Sequence, residues 1–393
     1  MSGLDLPSVR RQFPALAEQE GDWVFFDNAG GSQILGRVVE RIVEFLRTSN
    51  VQLGGSYAPS RLAAERVAEG ARSVAALLNA RSPDEIVLGP STTQLLDNLA
   101  LAMRFAAGDE IVVTNCDHES NIGAWRRLAE RGVVLREWKL DRDSLSLNLD
   151  ALTPLLTHRT RLVCFTHASN VLGTIHPVAE ITRAVHAAGA QVCVDGVAYA
   201  PHRPVDVQAW DVDYYVFSLY KVFGPHQAVL YGKRDHLLSL ANLNHYFIGD
   251  HEIPYKLQPG NVNYELTWSL TAIKPYLDDL GPAAIAEHEE RLAPRLLDYL
   301  RHKRDVRIIG LATADRATRV PTISFTVENR HSAEIPPAID AHHLGIKSGD
   351  FYARRLIESL GLQDRGGVIR VSMVHYNTVE EVDRLIRALD SVL

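Results

Sequence analysis

Six short runs in the middle of the chain are apolar at adjacent as well as alternate positions: 85-EIVLG, 110-EIVVTN, 133-VVLREW, 161-RLVCFTH, 190-AQVCVDG and 213-DYYVFS. Runs of this kind predict strands buried on both faces of a sheet. Between them, 93-TQLLDNLALAMRF, 120-SNIGAWRRLAERG and 178-VAEITRAVHAAG place apolar residues at three- and four-residue spacing, and two of the three stop at a glycine. They predict amphipathic helices. Strands alternating with helices give βαβ units and a mostly parallel central sheet covered by helices. Upstream, 34-ILGRVVERIVEFLRT and 60-SRLAAERVAEGARSVAALLNA predict two helices with no strand between them. Downstream of about 275 the texture becomes α+β. A long helix (282-PAAIAEHEERLAPRLLDYLRHK) precedes strands 306-VRIIGL and 320-VPTISFTV, helix 352-YARRLIESLG, strand 368-VIRVSMVH and helix 379-VEEVDRLIRAL. Pro254, Pro259, Gly260 and Pro275 mark the change. The expected division is a large α/β domain over 21–260, a connecting segment 261–274, and a small α+β domain formed by 1–20 and 275–393.

Composition narrows the class. The 393 residues are 46% apolar and 23% charged, with a net charge of −7, which excludes collagen-like, disordered and disulfide-scaffold proteins. The three cysteines, Cys116, Cys164 and Cys193, form no CxxC pair and point to a reducing, cytoplasmic setting. The opening MSGLDLPSVRRQFPAL lacks the apolar run of a signal peptide. No window approaches ~18 uninterrupted apolar residues, so no membrane span is expected. The mild acidity argues against a nucleic-acid backbone or an anionic membrane as partner.

Ligands of open parallel sheets sit at the carboxyl ends of the strands, and the polar residues concentrate there. The ends carry Ser91-Thr92-Thr93, Asp117-His118-Glu119-Ser120-Asn121, His167-Ala168-Ser169-Asn170, Asp195 and Ser218-Leu219-Tyr220-Lys221. The Ser-Thr-Thr run at a helix start reads either as a set of caps or as a phosphate cradle. Asp195, after the apolar QVCV, is either a turn cap or the counter-charge for a buried cationic ring. Lys221, after the aromatic YYVFS, either snorkels outward or is a desolvated amine fit for Schiff-base chemistry. Acid, amine, phosphate cradle and a stacking histidine together describe a pyridoxal-phosphate pocket.

On these residues the chain resembles the class V pyridoxal-phosphate-dependent aminotransferase family, in particular its cysteine desulfurase and selenocysteine lyase group. The matching strings are 25-FFDNAGGSQ, 92-TTQ, 117-DHESNIGAW, 167-HASNVLGT, 194-VDGVAYAPH, 217-FSLYKVFGP and 370-RVSMVHYNTVEEVDRLI. The resemblance implies fold type I (aspartate-aminotransferase-like), pyridoxal 5'-phosphate as cofactor, a small amino-acid substrate, and a homodimer with the site near its interface. It implies that Lys221 forms the Schiff base and moves the substrate proton. By the same resemblance Asp195 pairs with the pyridine nitrogen and His118 lies on the ring face. Asn170 contacts the substrate or the ring oxygen, Thr92 or Thr93 with Ser218 binds the phosphate, and Arg370 grips the α-carboxylate.

The chain departs from that family at several positions. Ala198 stands where a glutamine often meets the ring oxygen, and Tyr220 stands where a histidine precedes the lysine. Asn261 replaces a threonine that reaches across the dimer to the partner's phosphate. In the stretch that carries the desulfurase nucleophile, 346-IKSGDFYARR offers Tyr352 or its neighbours and no thiol. A persulfide mechanism needs a thiolate, so the expected activity is a C–S (or C–Se) lyase working by β-elimination without one. A class V aminotransferase or epimerase is the alternative, and a non-catalytic scaffold a third. The S-x-x-K string at Ser218–Lys221 needs a helix it does not have. The scattered histidines, His342-His343 included, predict no metal site.

Overall fold

The computed structural model describes residues 3–17 and 22–393. Its thirteen strands are β1 (Val24–Phe25), β2 (Ile86–Gly89), β3 (Glu110–Thr114), β4 (Val134–Trp138), β5 (Thr160–Thr166), β6 (Gln191–Asp195), β7 (Tyr214–Ser218), β8 (Ala228–Gly232), β9 (Val306–Ile309), β10 (Thr322–Val327), β11 (Leu344–Gly345), β12 (Lys347–Gly349) and β13 (Val368–Ser372). The large sheet runs in the order β2-β8-β7-β6-β5-β3-β4. Only β8 opposes its neighbours in this sheet. It follows β7 after residues 219–227, too short a connection for a parallel crossover, so the chain must turn back.

Alternate residues of the large sheet feed two separate cores, as a sheet covered on both faces requires. Val192, Val194, Tyr215 and Phe217 join one, and Cys193, Tyr214 and Val216 the other. Gly132 (φ +83°) and Gly189 (φ +80°) close the two helical segments the sequence ended there.

The second sheet is antiparallel, in the order β12-β13-β10-β9. On β13, Ile369 and Val371 pack with the helices Pro282–Arg301 and Val379–Asp390, through Leu296, Leu385 and their neighbours. Arg370 and Ser372 alternate to the opposite face, where Ser372 Oγ accepts from the Ala29 N–H at 2.8 Å. Of the segment 1–20 assigned to the small domain, 1–2 and 18–20 lie outside the described residues. Within its described part Phe13 packs on Phe223 and Tyr376, and Arg10 pairs with Glu381 at 2.7 Å.

The helix expected from residue 352 begins later, at Arg354. Phe351 and Tyr352 sit in the left-handed region instead, because their carbonyls are drawn to Asn170 Nδ2 and the Glu119 N–H.

Candidate active site

The carboxyl ends of β2, β3, β5, β6 and β7 meet around one cleft of about 520 Å³ of empty space, its open mouth included. Thr92, Thr93, His118, Asn170, Asp195, Ser218, Tyr220 and Lys221 all line it. Asn261 does not. It is exposed on the loop before the helix Tyr264–Ser269, near Gln52.

At one end of the cleft the helix Thr92–Ala102 begins. Ser91 caps it, accepting from the Gln94 N–H at 3.2 Å. That leaves the Thr92 hydroxyl to pair with Ser218 Oγ at 2.7 Å. Free first-turn N–H groups, the helix dipole and two hydroxyls are the donor set of an anion site. Tyr220 flanks it, its ring stacked 4.8 Å from that of His226.

The floor is built from buried carboxyl groups. Asp195 ends β6, and its Oδ1 accepts from the Val197 N–H at 2.8 Å. Burial pushes it up to about 6. Gly196 follows because a Cβ there would strike the Tyr215 ring at 2.2 Å, and Tyr215 in turn bonds to His167 Nδ1 at 2.9 Å. Asp117, beside His118 in the same polar run at the end of β3, accepts from the Thr166 N–H (2.8 Å) and Asn121 Nδ2 (2.7 Å). Burial, reinforced by the charge of Asp195, pushes it up to about 8.

Lys221 closes the short turn after β7 and is buried. Desolvation, then the charge of Arg370, brings its ammonium down to about 8, against the opposing pull of Asp195. His118 Nδ1 accepts from the Ser120 N–H at 3.1 Å and lies 2.8 Å from Ser120 Oγ, so the ring's own proton belongs on Nε2. Burial, then the cations Lys221 and Arg370, hold His118 down near 4. It is therefore a neutral ring at physiological pH.

Arg370 reaches in from β13. It donates to Asp27 Oδ1 at 2.6 Å and to the Asn170 carbonyl at 3.1 Å, and its guanidinium lies 3.7 Å over the Phe351 ring. Its buried Nε has no partner. Asp27 and Phe351 were not anticipated as parts of the site. Among the described residues no group of three or more His, Cys, Asp or Glu could hold a metal ion.

An electron-poor phosphorylated ring needs an anion cradle, a carboxylate at its far end, an amine between them and room for all three. The cleft lining supplies these, and Arg370, whose buried Nε has no partner, lies close enough to Lys221 and His118 to act on their charges. The profile of the Aminotransferase class-V family matches residues 24–385. The chain belongs to the class V aminotransferase family.

Like other members it is a pyridoxal-phosphate-dependent enzyme of fold type I, and the donor set described above fits that cofactor. The chain is 45% identical to the aminotransferase-like protein FGM3 of Gibberella zeae, over 100% of this chain and 99% of that one. It is 37% identical to the cysteine desulfurase-like protein ustD of Aspergillus flavus, over 99% and 91%. Among solved structures it is similar to the cysteine desulfurase CsdA (S-sulfonic acid) of Escherichia coli, with a TM-score of 0.87 and 27% identity over 99% and 98% of the two chains. Among the described residues of this class V member, no helix is long and apolar enough to cross a membrane.

Proposed function

We propose that the enzyme is a C–S (or C–Se) lyase, acting on a small amino acid by β-elimination without a protein thiol as sulfur acceptor. The observation that carries this reading is the fate of the thiols. Cys116, Cys164 and Cys193 are all fully buried, and burial raises the Cys116 thiol far out of the reactive range. The lip that stands nearest His118 presents Tyr352 instead.

Pyridoxal phosphate, when bound, supplies the electron sink for the charge left on Cα as its proton departs. Lys221, its ammonium lowered to about 8 by burial, sheds its proton more readily than a free lysine and, once uncharged, is suited to take the Cα proton at Nζ and to give one back. Asp195 would hold a positive charge at the ring nitrogen, and Thr92, Thr93, Ser218 and the helix start would bind the phosphate, with the Tyr220 hydroxyl hydrogen-bonded to Ser218. His118 covers the ring face as a neutral imidazole. Asn170, with one amide N–H given to the Phe351 carbonyl, keeps its Oδ1 and second N–H for the ring oxygen or the substrate. Arg370 takes the α-carboxylate on its unpartnered Nε edge. The Cβ–S bond then breaks with its electron pair going to sulfur, which gains a proton, and hydrolysis yields ammonia and a keto acid.

An aminotransferase is the second reading, favoured by the description of the 45%-identical relative as aminotransferase-like. A homodimer belongs to this proposal as well, with Asn261, exposed and clear of its own chain's cleft, offered to the partner; the cytoplasm is the proposed setting. The purified protein is expected to take up pyridoxal phosphate with a visible absorbance band that borohydride bleaches and Lys221→Ala abolishes. Amino acids are expected to yield keto acid and ammonia with no second keto acid present. A requirement for that second keto acid selects the aminotransferase, and a protein that takes up no cofactor ends both readings.

A further inference from the structure

Phe351 and Tyr352 have φ of +52° and +58°, and no other adjacent pair of non-glycine residues among those described shares that region. Glycine occupies it at no steric cost, whereas a residue with a Cβ does not. Such a turn persists where its surroundings over-determine it, and here they do. The Glu119 N–H donates to the Tyr352 carbonyl at 2.7 Å, Asn170 Nδ2 to the Phe351 carbonyl at 2.9 Å, and the Tyr352 N–H to Asp350 Oδ1 at 3.0 Å. Arg355 grips both carboxylate oxygens of Glu119, at 3.1 and 3.2 Å. The segment is therefore strapped to the two loops that carry His118 and Asn170.

Two aromatic side chains are retained where glycine would be easier, and one has an evident use, since Phe351 lies under Arg370. Tyr352 has no comparable role in packing. The residue is 72% exposed, and its ring centroid stands 5.2 Å from that of His118. An amino acid held by Arg370 and Lys221 would leave its third Cα substituent facing the His118 side of the cleft, where the Tyr352 ring stands next to that of His118.

We propose that Tyr352 is a specificity-determining residue, the outer wall of the substrate's side-chain subsite. It selects amino acids whose β-sulfur carries an apolar or aryl substituent over free cysteine. The inference rests on the lyase reading. A thiol leaves the ring wet, whereas an alkyl or aryl group covers it and gains in proportion to the apolar area removed from water, with a further gain from ring–ring contact.

The test uses the cofactor-loaded enzyme with cysteine, S-methylcysteine and S-benzylcysteine. Binding is read from the change in cofactor absorbance, and kcat and KM are measured separately. Wild type is expected to bind more tightly as the substituent grows. Tyr352→Ala is expected to lose about tenfold of the S-benzylcysteine preference over cysteine, in KM rather than kcat, and Tyr352→Phe to recover it. Circular dichroism and the cofactor band, matching wild type, show the variants folded and loaded. If Tyr352→Ala keeps the wild-type preference, or loses all three ligands equally, the proposal is wrong and the lyase reading stands. If no amino acid alters the cofactor absorbance of wild type, the lyase reading falls and this proposal falls with it.

Discussion

Arg370 is paired with Asp27, 2.6 Å away, before any substrate is present. Two of the guanidinium's edges are fixed by Asp27 and the Asn170 carbonyl, and Phe351 supports its face. On the proposed reading, an incoming carboxylate would meet an arginine already neutralised and oriented, and would gain more from geometry than from net charge.

Removing either partner therefore has a distinct signature. Asp27→Asn leaves a buried cation without its counter-charge and is expected to destabilise the enzyme by about 1–2 kcal/mol, less than a fully buried pair because Asp27 is partly exposed. Thermal unfolding measures this. Arg370→Gln is expected to raise KM at least ~100-fold, as loss of a charge-assisted bidentate contact does, with the cofactor absorbance unchanged. An unaltered KM would remove Arg370 from the substrate site.

The Thr92–Ser218 hydroxyl pair, at 2.7 Å, gives a test of the cradle. Thr92→Val keeps the shape and removes one hydrogen-bonding group, at a cost of about 1–1.5 kcal/mol. That corresponds to roughly tenfold weaker cofactor binding. Equilibrium dialysis of pyridoxal phosphate reads it directly, and identical retention by variant and wild type would count against the phosphate assignment.

Asp117 gives a pH dependence whose sign is fixed. Burial, then the Asp195 charge, takes it from 3.8 to about 8, so the folded apoenzyme holds the proton more tightly than the unfolded chain. Its contribution is present in full below about 4 and is lost as the pH rises towards 8. Asn121 Oδ1 is buried without a partner, and with its amide turned over it can accept from a protonated Asp117 or from an asparagine in its place. Asp117→Asn is therefore expected to gain on wild type between pH 5 and 8, by at most about 1.4 kcal/mol per pH unit. Urea unfolding of both apoenzymes at the two pH values checks this. An equal difference at both ends refutes it.

The cysteines carry the last prediction. Cys116→Ala is expected to leave turnover within about twofold of wild type and to cost on the order of 1 kcal/mol of stability from lost packing. Loss of all sulfide release from cysteine in this variant would mean that a thiol acts after all.

The sequence made most of the large sheet legible because its inner strands are apolar on both faces, and it made most of the cleft legible because chemistry gathers where such strands end. Lys221, Asp195, His118 and Thr92 were found by that rule. β8 was not among the predicted strands, although AVLYG is apolar and the short connection after β7 requires the chain to turn back there. Asp27 escaped because its partner, Arg370, is 343 residues away, and no local pattern reports such a pair. Asp117 escaped because a carboxyl in a polar string looks solvated until the fold encloses it. At Phe351–Tyr352, the helical periodicity of 352-YARRLIESLG hid a turn imposed by tertiary hydrogen bonds.

The alternation along β13 has a consequence for how relatives of this enzyme can diverge. Arg370 faces the cleft only because Ile369 and Val371 face the helices behind it. Substitutions at these positions act one at a time, but the insertion or deletion of a single residue within the strand rotates the whole set. The arginine would then turn into an apolar layer while isoleucine and valine turned to the cleft. Drift in chain length is therefore confined to the loops around β13, and a relative with a length change inside the strand has either moved the arginine proposed here as carboxylate anchor or lost it.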